Sequence, residues 1–474
     1  METLQRTANR GSLSTGYDID NSLKLEDDNT ENLYRALNGS TSTTKFTVSM
    51  WFKRTELGAT QLLYMRGVAG NEAVFLRTST EVNDALQVDI GASSTNSRSY
   101  TSQLLRDTSA WYHVVLAVDT TQSTATDRFK LYLNGNLITD FASRSNPAED
   151  FAMEVSSAKH RHGAYNDTDG FAGYCGYIAE CHYIDGSQVA QTEFGEFDDD
   201  SGIWKPKQYT GSYGTGGYYL DFSDSSALGN NSAGDGTDFT LNNITSTDQA
   251  TDSPTNNFCT ANVLDGTDGN IKNQEGGTKI TTDGGSSWCT MMATMGITKG
   301  KWYWEAQYVN NNIFVGVADS QDIYVPYSSA AKYYLGNVAD STSVGWYFDN
   351  GQVYNGDATF TAPSADDKVM IALDWDNKAI YFGVNGTWGN SSNPESGASK
   401  TGASVYAFNN ADWDNFAMPA FTVYQGNTLK INFGGYTCIS ISSGNSDEDG
   451  YGNFEYAPPS GYYALCTKNL AEYG

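Results

Sequence analysis

The most regular pattern along the chain is an alternation of apolar and polar positions. In KFTVSMWFKR, Phe46, Val48, Met50 and Phe52 alternate with Thr47, Ser49 and Trp51, which predicts a strand with two differently used faces. QLLYMRG, AVFLRTS and ALQVDIG read as further short strands, and WYHVVLAVD, with too little alternation for an exposed strand, suits the middle of a sandwich. A second strand-rich block holds KWYWEAQYV, IFVGVADS, SVGWYFDNGQVY, KVMIALDWDN, AIYFGVNGTW, AFTVYQGN and TLKINFG. Helical stripes at i, i+3, i+4, i+7 are hard to find, so the expected class is all-β. Asn134-Gly135, Asn385-Gly386 and Asn355-Gly356 each predict a type I′ hairpin, because that turn needs positive φ at both central residues.

Two stretches nearly paraphrase each other: AVDTTQSTATDRFKLYLNGN from Ala117 and ALDWDNKAIYFGVNGTW from Ala372. Each has an apolar run closing on Asp, a polar spacer, a Tyr-containing run and Asn-Gly. This is one structural sentence said twice, which predicts two related antiparallel sandwiches. The chain then divides into a polar arm at 1–17, a first sandwich at 18–204, a connector at 205–277, a second sandwich at 278–434 and an extension at 435–474. The arm reads equally as a frayed terminus or a docking segment. The connector is rich in Gly, Ser and Asp, with Tyr218, Tyr219, Phe222 and Phe239 as isolated aromatics, and is expected to be irregular.

Composition supports the class. There are 48 Gly, 9 Pro and 31 Tyr among 474 residues, a strand-and-turn mixture. The net charge of -28 disfavours nucleic acid and anionic lipid as partners. No segment approaches the roughly 18 apolar residues of a membrane span, and the first residues lack the apolar core of a secretory signal. The six cysteines form no CxxC pair and are expected to be mostly free, buried thiols of a protein made in a reducing cytoplasm.

Candidate chemistry is sparse. EFGEFDDD places Glu196, Asp198 and Asp200 at strand spacing, but Gly195 and the following SGIWKPK make it read as an acidic loop rather than a glycosidase carboxylate pair. His160 and His162 alternate with Arg161 and are expected on a surface loop; His113 is expected to be a satisfied core histidine. Calcium is the better cofactor candidate, with Asn166, Asp167 and Asp169 in one turn and the spaced acids Asp221, Asp224, Asp235 and Asp238 as ligands. Solvated turns with no bound cofactor are the default reading. For ligand recognition, Tyr324, Tyr327, Tyr333 and Tyr334 share one loop, while Trp413 and Phe416 lie on another; such rings stack on sugar faces or pack beneath their own loops.

The first block, from Asp18 to Asp185, resembles a laminin-G-like jelly roll of the concanavalin-A-like class, on FTVSMWFKR, WYHVVLAVD with KLYLNGN, and CGYIAECHYIDG. The second, from Thr278 to Gly434, resembles a SPRY domain, on GKWYWEAQY, FVGVADS, SVGWYFDNGQVYNG and VMIALDWDNKAIYFGVNGTW. That likeness places the Asp319–Gly336 loop where SPRY domains carry variable binding loops. The whole arrangement is similar to structural proteins of marine bacteriophages, on RGSLSTGYDIDNSL, the EFGEFDDDSGIWKPKQYTGSYGTGGYYLDFSD stretch and YGNFEYAPPSGYYALCTKNL. The resemblance implies a virion protein, made in the host cytoplasm and released by lysis. It would be a non-enzymatic adhesin on a tail fibre or appendage, meeting other virion proteins and a host glycan or protein. A capsid decoration or head-fibre protein is the alternative, and a polysaccharide depolymerase acting through Glu196 ranks third. The resemblance also implies a homo-oligomer, commonly a trimer, although no heptad run is present to trimerise the chain.

Overall fold

A computed structural model describes residues 16–27, 30–37, 41–68, 71–91, 97–153, 158–165, 172–233, 237–266, 271–283, 288–320, 334–337, 342–409, 413, 416–424 and 426–474. The chain is nearly all β and forms two compact units, residues 13–256 and residues 257–474. Among the described residues, no helix is long and apolar enough to cross a membrane.

In the first unit one sheet runs Asn136–Leu137, Phe129–Leu133, Trp111–Asp119, Lys45–Arg54, Gly176–Asp185, Ser22–Leu25 and Gln249–Ala250, with Tyr218–Leu220 also paired to Gly176–Asp185. The second layer runs Phe141–Ser143, Ser97–Leu104, Ala85–Gly91, Asn71–Thr78, Gln61–Val68, Lys159–His162, Asn32–Ala36 and Thr240–Asn242. The alternation sorts the faces. Phe46, Val48, Met50 and Phe52 join Val114, Leu116, Val118 and Leu131 in the core, opposite Leu63, Val74, Leu76, Val88 and Ile90. The strand Trp111–Asp119 is buried throughout because its outer face is covered too. His113 on that face receives the Trp204 indole N–H at 3.0 Å and lies 2.8 Å from Ser49 Oγ. Burial holds its imidazole down at about 3, so it is the neutral, satisfied core histidine expected.

Part of the stretch read as connector is woven into these sheets: Tyr218–Leu220, Thr240–Asn242 and Gln249–Ala250 all pair with strands of the first unit. His160 and His162 are not on a surface loop. They lie on Lys159–His162, inserted between Asn32–Ala36 and Gln61–Val68, and both are sealed from solvent. His160 Nδ1 meets Tyr64 OH at 3.0 Å, and His162 meets Leu63 O and Tyr218 OH, each at 2.9 Å. Nor is EFGEFDDD wholly a loop. Gly195–Phe197 pairs with Trp204–Pro206 in a small hairpin, since Trp204 packs flat where Gly195 has no side chain. All six cysteines are free, five of them buried and Cys438 partly so.

The second unit stacks two further sheets. One runs Ile271–Gln274, Lys279–Thr282, Thr428–Asn432, Lys301–Tyr308, Lys368–Asp374, Ala379–Val384 and Thr387–Trp388, with Tyr463–Ala464 parallel to Lys301–Tyr308. The other runs Trp288–Met292, Ala417–Tyr424, Ile313–Asp319, Ser343–Tyr347 and Val353–Tyr354. Trp302, Trp304, Trp346, Phe382 and Phe421 fill the core. Glu305, almost fully buried, faces the other way and organises the C-terminal segment. Its carboxylate accepts the Tyr303 hydroxyl at 2.9 Å, Asn432 Nδ2 at 3.1 Å and the Glu455 and Tyr456 amides at 2.9 and 2.8 Å. Burial pushes its pKa up against those donors.

The repeated phrase has one structural meaning in both units. Asp119 pairs across the sheet with Lys45 and accepts bonds from Thr121 and Gln122; Asp374 pairs with Lys301 and accepts bonds from Asn377. Each Asp thus ties the turn after its strand to the lysine that begins the neighbouring strand. The hairpins match as well: Asn134-Gly135 (φ 46° and 78°) and Asn385-Gly386 (φ 47° and 81°) take the expected turn. At Asn355-Gly356 only Asn355 is left-handed, with its Nδ2 donated to Ser343 O at 2.8 Å. Gly356 instead presses against Val353 and Ser404, so no type I′ turn forms there.

Two predictions follow from these carboxylates. Burial raises the Asp119 pKa, but bonds from Thr121, Gln122 and Lys45 outweigh it and hold the carboxyl at about 2. The stability it contributes is present above the ordinary carboxyl range near pH 4 and is lost as pH falls through about 2. Asp119→Asn should therefore flatten that limb of the acid-unfolding curve, measured by circular dichroism. Replacing Glu305 by Ala strands the buried Tyr303 hydroxyl and Asn432 Nδ2 and two partly buried amides, and should cost the second unit about 3 kcal/mol in urea unfolding. Hydrogen exchange should rise first at Glu455 and Tyr456.

Candidate functional site

The sheet Trp288–Met292, Ala417–Tyr424, Ile313–Asp319, Ser343–Tyr347 has one face in the core and one face outward. Register places Trp288 opposite Tyr424, and Phe314 opposite Thr422 and Tyr347, all on the outward face. A solvated strand face would carry polar residues at these positions; here it carries rings. Phe314 is buried at the centre, stacked on Tyr347 at 4.5 Å (19°) and on Tyr334 at 4.9 Å (13°). Trp288 leans on Tyr424 at 4.8 Å and Tyr334 at 5.2 Å, and Tyr354 stands edge-on to Phe314 at 5.2 Å. Trp288, Tyr334, Tyr347, Tyr354 and Tyr424 are each half-buried, so the cluster presents aromatic surface to solvent over a buried ring.

Polar groups line one side of this platform. The Tyr347 hydroxyl lies 2.8 Å from Asn312 Oδ1 and 3.0 Å from Asp349 Oδ2, and Asp349 Oδ1 accepts the Asn312 amide at 2.8 Å. Burial and then Asp349 raise the Tyr347 pKa, so the hydroxyl stays a donor at neutral pH. Aromatic faces beside fixed carboxylate and amide groups suit a ligand with apolar C–H faces and hydroxyl edges.

The structure treats the sequence candidates unequally. Tyr334 is in the platform, and Phe416 packs against the same apolar cluster, over Gly296. Trp413 turns inward against Trp375 (5.4 Å) and Phe408 (5.2 Å), its indole N–H on Ala407 O. Tyr324, Tyr327 and Tyr333 lie outside the described residues, as do Asn166, Asp167, Asp169 and Asp235. The remaining acids are organised by their own turns: Asp221 by Ser223 and Ser232, Asp224 by Ser226, and Asp238 by the Asn231 amide. Glu196 is half-exposed and shares Lys205 with Asp198, at 3.4 and 3.3 Å.

Sequence reasoning missed Trp288, Tyr347, Tyr354 and Tyr424 as a site. The available signal was the aromatic residue at outward positions of WCTMM, SVGWY and AMPAFTVY. A second unforeseen cluster lies in the first unit. Glu180 takes a left-handed conformation (φ 51°) at a bulge in Gly176–Asp185, and its carboxylate accepts the Tyr219 and Tyr17 hydroxyls at 2.5 and 3.0 Å. His182 stacks on Tyr219 at 4.4 Å and bonds Tyr213 OH at 3.0 Å. Tyr213 also lines an open crevice of about 410 Å³ with Gly211, Ser212, Gly214, Thr215, Gly217 and Ala233. The polar groups of this cluster answer one another, so it reads as a packed bracket more than an open site. Among the described residues, Glu26, Asp27 and Cys175 also lie within metal-ligand reach of one another. The Cys175 thiol donates to Glu26 at 3.3 Å, and burial raises its pKa, so it is held as a thiol.

Residues 27–186 match the family model of the concanavalin A-like lectin/glucanases superfamily, Laminin_G_3. Similar solved structures include the SPRY domain of human HERC1, at 18% identity, 36% of this chain, 96% of that chain and a TM-score of 0.26. A protein from Bacteroides ovatus described as a candidate carbohydrate-binding protein is 20% identical over 48% of this chain and 59% of its own, with a TM-score of 0.34. A heptameric SAP-like pentraxin from Limulus polyphemus is 14% identical over 37% of this chain and 80% of its own, with a TM-score of 0.28. No curated protein matches the chain.

Proposed function

We propose that this protein is a non-enzymatic recognition protein whose second unit binds a glycan on the aromatic face formed by Trp288, Tyr334, Tyr347 and Tyr354. The observation that carries this reading is the half-exposed ring platform over buried Phe314, edged by Asn312 and Asp349. A pyranose offers the complementary surface: C–H groups to stack on rings and hydroxyls to bond to amide and carboxylate oxygens. The lectin-type family match of the first unit supports a binding role for the chain. The sequence likeness to bacteriophage structural proteins supports a finer reading, in which the protein is an adhesin on a tail fibre or appendage and the glycan belongs to the host surface.

The test is a glycan array followed by titration of the best hit, with Trp288→Ala and Tyr347→Ala as variants. A stacked ring contributes about 0.5–1.5 kcal/mol beyond its buried area, so each variant should weaken binding roughly tenfold. Thermal unfolding of each variant, measured alongside, separates lost stacking on the ligand from lost packing on Phe314. Full affinity in both variants would sink the assignment of the site. Adsorption of the purified protein to intact host cells, competed by the same glycan, tests the adhesin reading separately.

A further inference from the structure

Lys24 lies on Ser22–Leu25, whose neighbours Leu23 and Leu25 point into the core while Lys24 points to the outer face, paired in register with Tyr177. Its ammonium is sealed from solvent between two carboxylates. Nζ is 3.1 Å from both oxygens of Glu31 and 3.0 Å from Asp248 Oδ1, with side chains 1%, 3% and 8% exposed. Asp248 is itself gripped: Oδ2 accepts the Thr245 amide at 2.7 Å and the Thr245 hydroxyl at 3.1 Å. Glu31 Oε2 also accepts the Glu26 amide at 2.9 Å.

We propose that this triad is a self-modification site that joins Lys24 Nζ to Asp248 Cγ in an intramolecular isopeptide bond, with Glu31 as the proton shuttle. Burial keeps bulk water out of the pocket, so the amine meets the two carboxylates without a competing solvent nucleophile. The amine is already in contact with the carboxyl it would attack, so the bimolecular cost of amide formation is largely removed. Glu31 takes one proton from Nζ, and the freed lone pair attacks Cγ. The developing charge on Oδ2 falls on the Thr245 amide and hydroxyl, placed like an oxyanion hole. Oδ1 then departs as water, carrying two of the three original Nζ protons, one of them by way of Glu31. The third remains as the amide N–H. The ion pair holds every atom of amide plus water, nothing is oxidised or reduced, and no co-reactant is needed.

The neighbouring pair Lys53–Asp252 is an internal contrast. It is as buried, at 2.7 Å, but the other carboxylate oxygen of Asp252 accepts the Trp111 indole N–H at 2.9 Å, a donor that cannot ferry protons at neutral pH.

The test is the intact mass of the denatured full-length protein. The expected value is the sequence mass less one water, and a protease digest should contain a branched peptide joining residues 24 and 248. Lys24→Arg and Glu31→Gln should both restore the full sequence mass of the variant and lower the unfolding temperature. A wild-type mass equal to the sequence value would falsify the proposal, with no variant needed. A water loss that persists in Lys24→Arg places the modification elsewhere and overturns it equally. Persistence in Glu31→Gln alone overturns the shuttle role of Glu31.

Discussion

Lys53 and Asp252 meet at 2.7 Å across 199 residues of chain, both sealed from solvent. The covering of the first sandwich's outer face depends on this contact. Its central sheet has a second face that must be covered, and irregular chain rather than another sheet covers it. Polar anchors hold that chain down: Asp252 on Lys53 and Trp111, Asp248 on Lys24, and Thr255 on the backbone of Ile19. Removing one partner of a buried ion pair leaves a stranded charge costing about 3–5 kcal/mol. The second unit follows the same rule, with Glu305 receiving the chain that returns over its sheet. In both units the apolar core sets the sandwich, and buried charges decide where the loose ends go.

The fold was largely legible because it rests on local signals. Period-two alternation marked Lys45–Arg54 and its neighbours, and Asn-Gly marked two hairpins whose φ values match. The third Asn-Gly misled because tertiary packing of Gly356 against Val353 and Ser404 outweighed local preference. His160 and His162 misled for a related reason. KHRH looks solvated in sequence, yet its strand is inserted between two others and its imidazoles bond Tyr64 and Tyr218, residues far away in the chain. Tyr218–Leu220 lay hidden in a Gly-rich texture because its partner strand begins over forty residues earlier, at Gly176.

The candidate site was less legible than the fold. Tyr334 was marked by its loop, but the rings beneath and beside it come from five strands, each contributing one aromatic at an outward position. No window of sequence contains such a cluster; only the register of Trp288 with Tyr424 and of Phe314 with Tyr347 assembles it. The repeated phrase points the other way. Asp119 with Lys45 and Asp374 with Lys301 are scaffold, shared by both sandwiches, and the aromatic face belongs to one of them. Shared chemistry here marks architecture, and the unshared aromatic face is where the proposed recognition is placed.

The parallel pairing of Tyr463–Ala464 with Lys301–Tyr308 has a consequence for biosynthesis. Leu465 and Leu470 belong to the main core of the second unit, and Cys466 bridges to Phe258 at that unit's beginning. While a ribosome is still reading codons for residues before 470, this sandwich has a hole where those side chains belong. The first unit, whose anchors are all in place by residue 255, faces no such wait. The two halves of the chain therefore mature on different clocks, one during translation and the other only once residues 463–470 have left the exit tunnel. Until then, Tyr303 and Tyr381 lack the Tyr462, Ala464 and Cys466 side chains that complete their buried cluster.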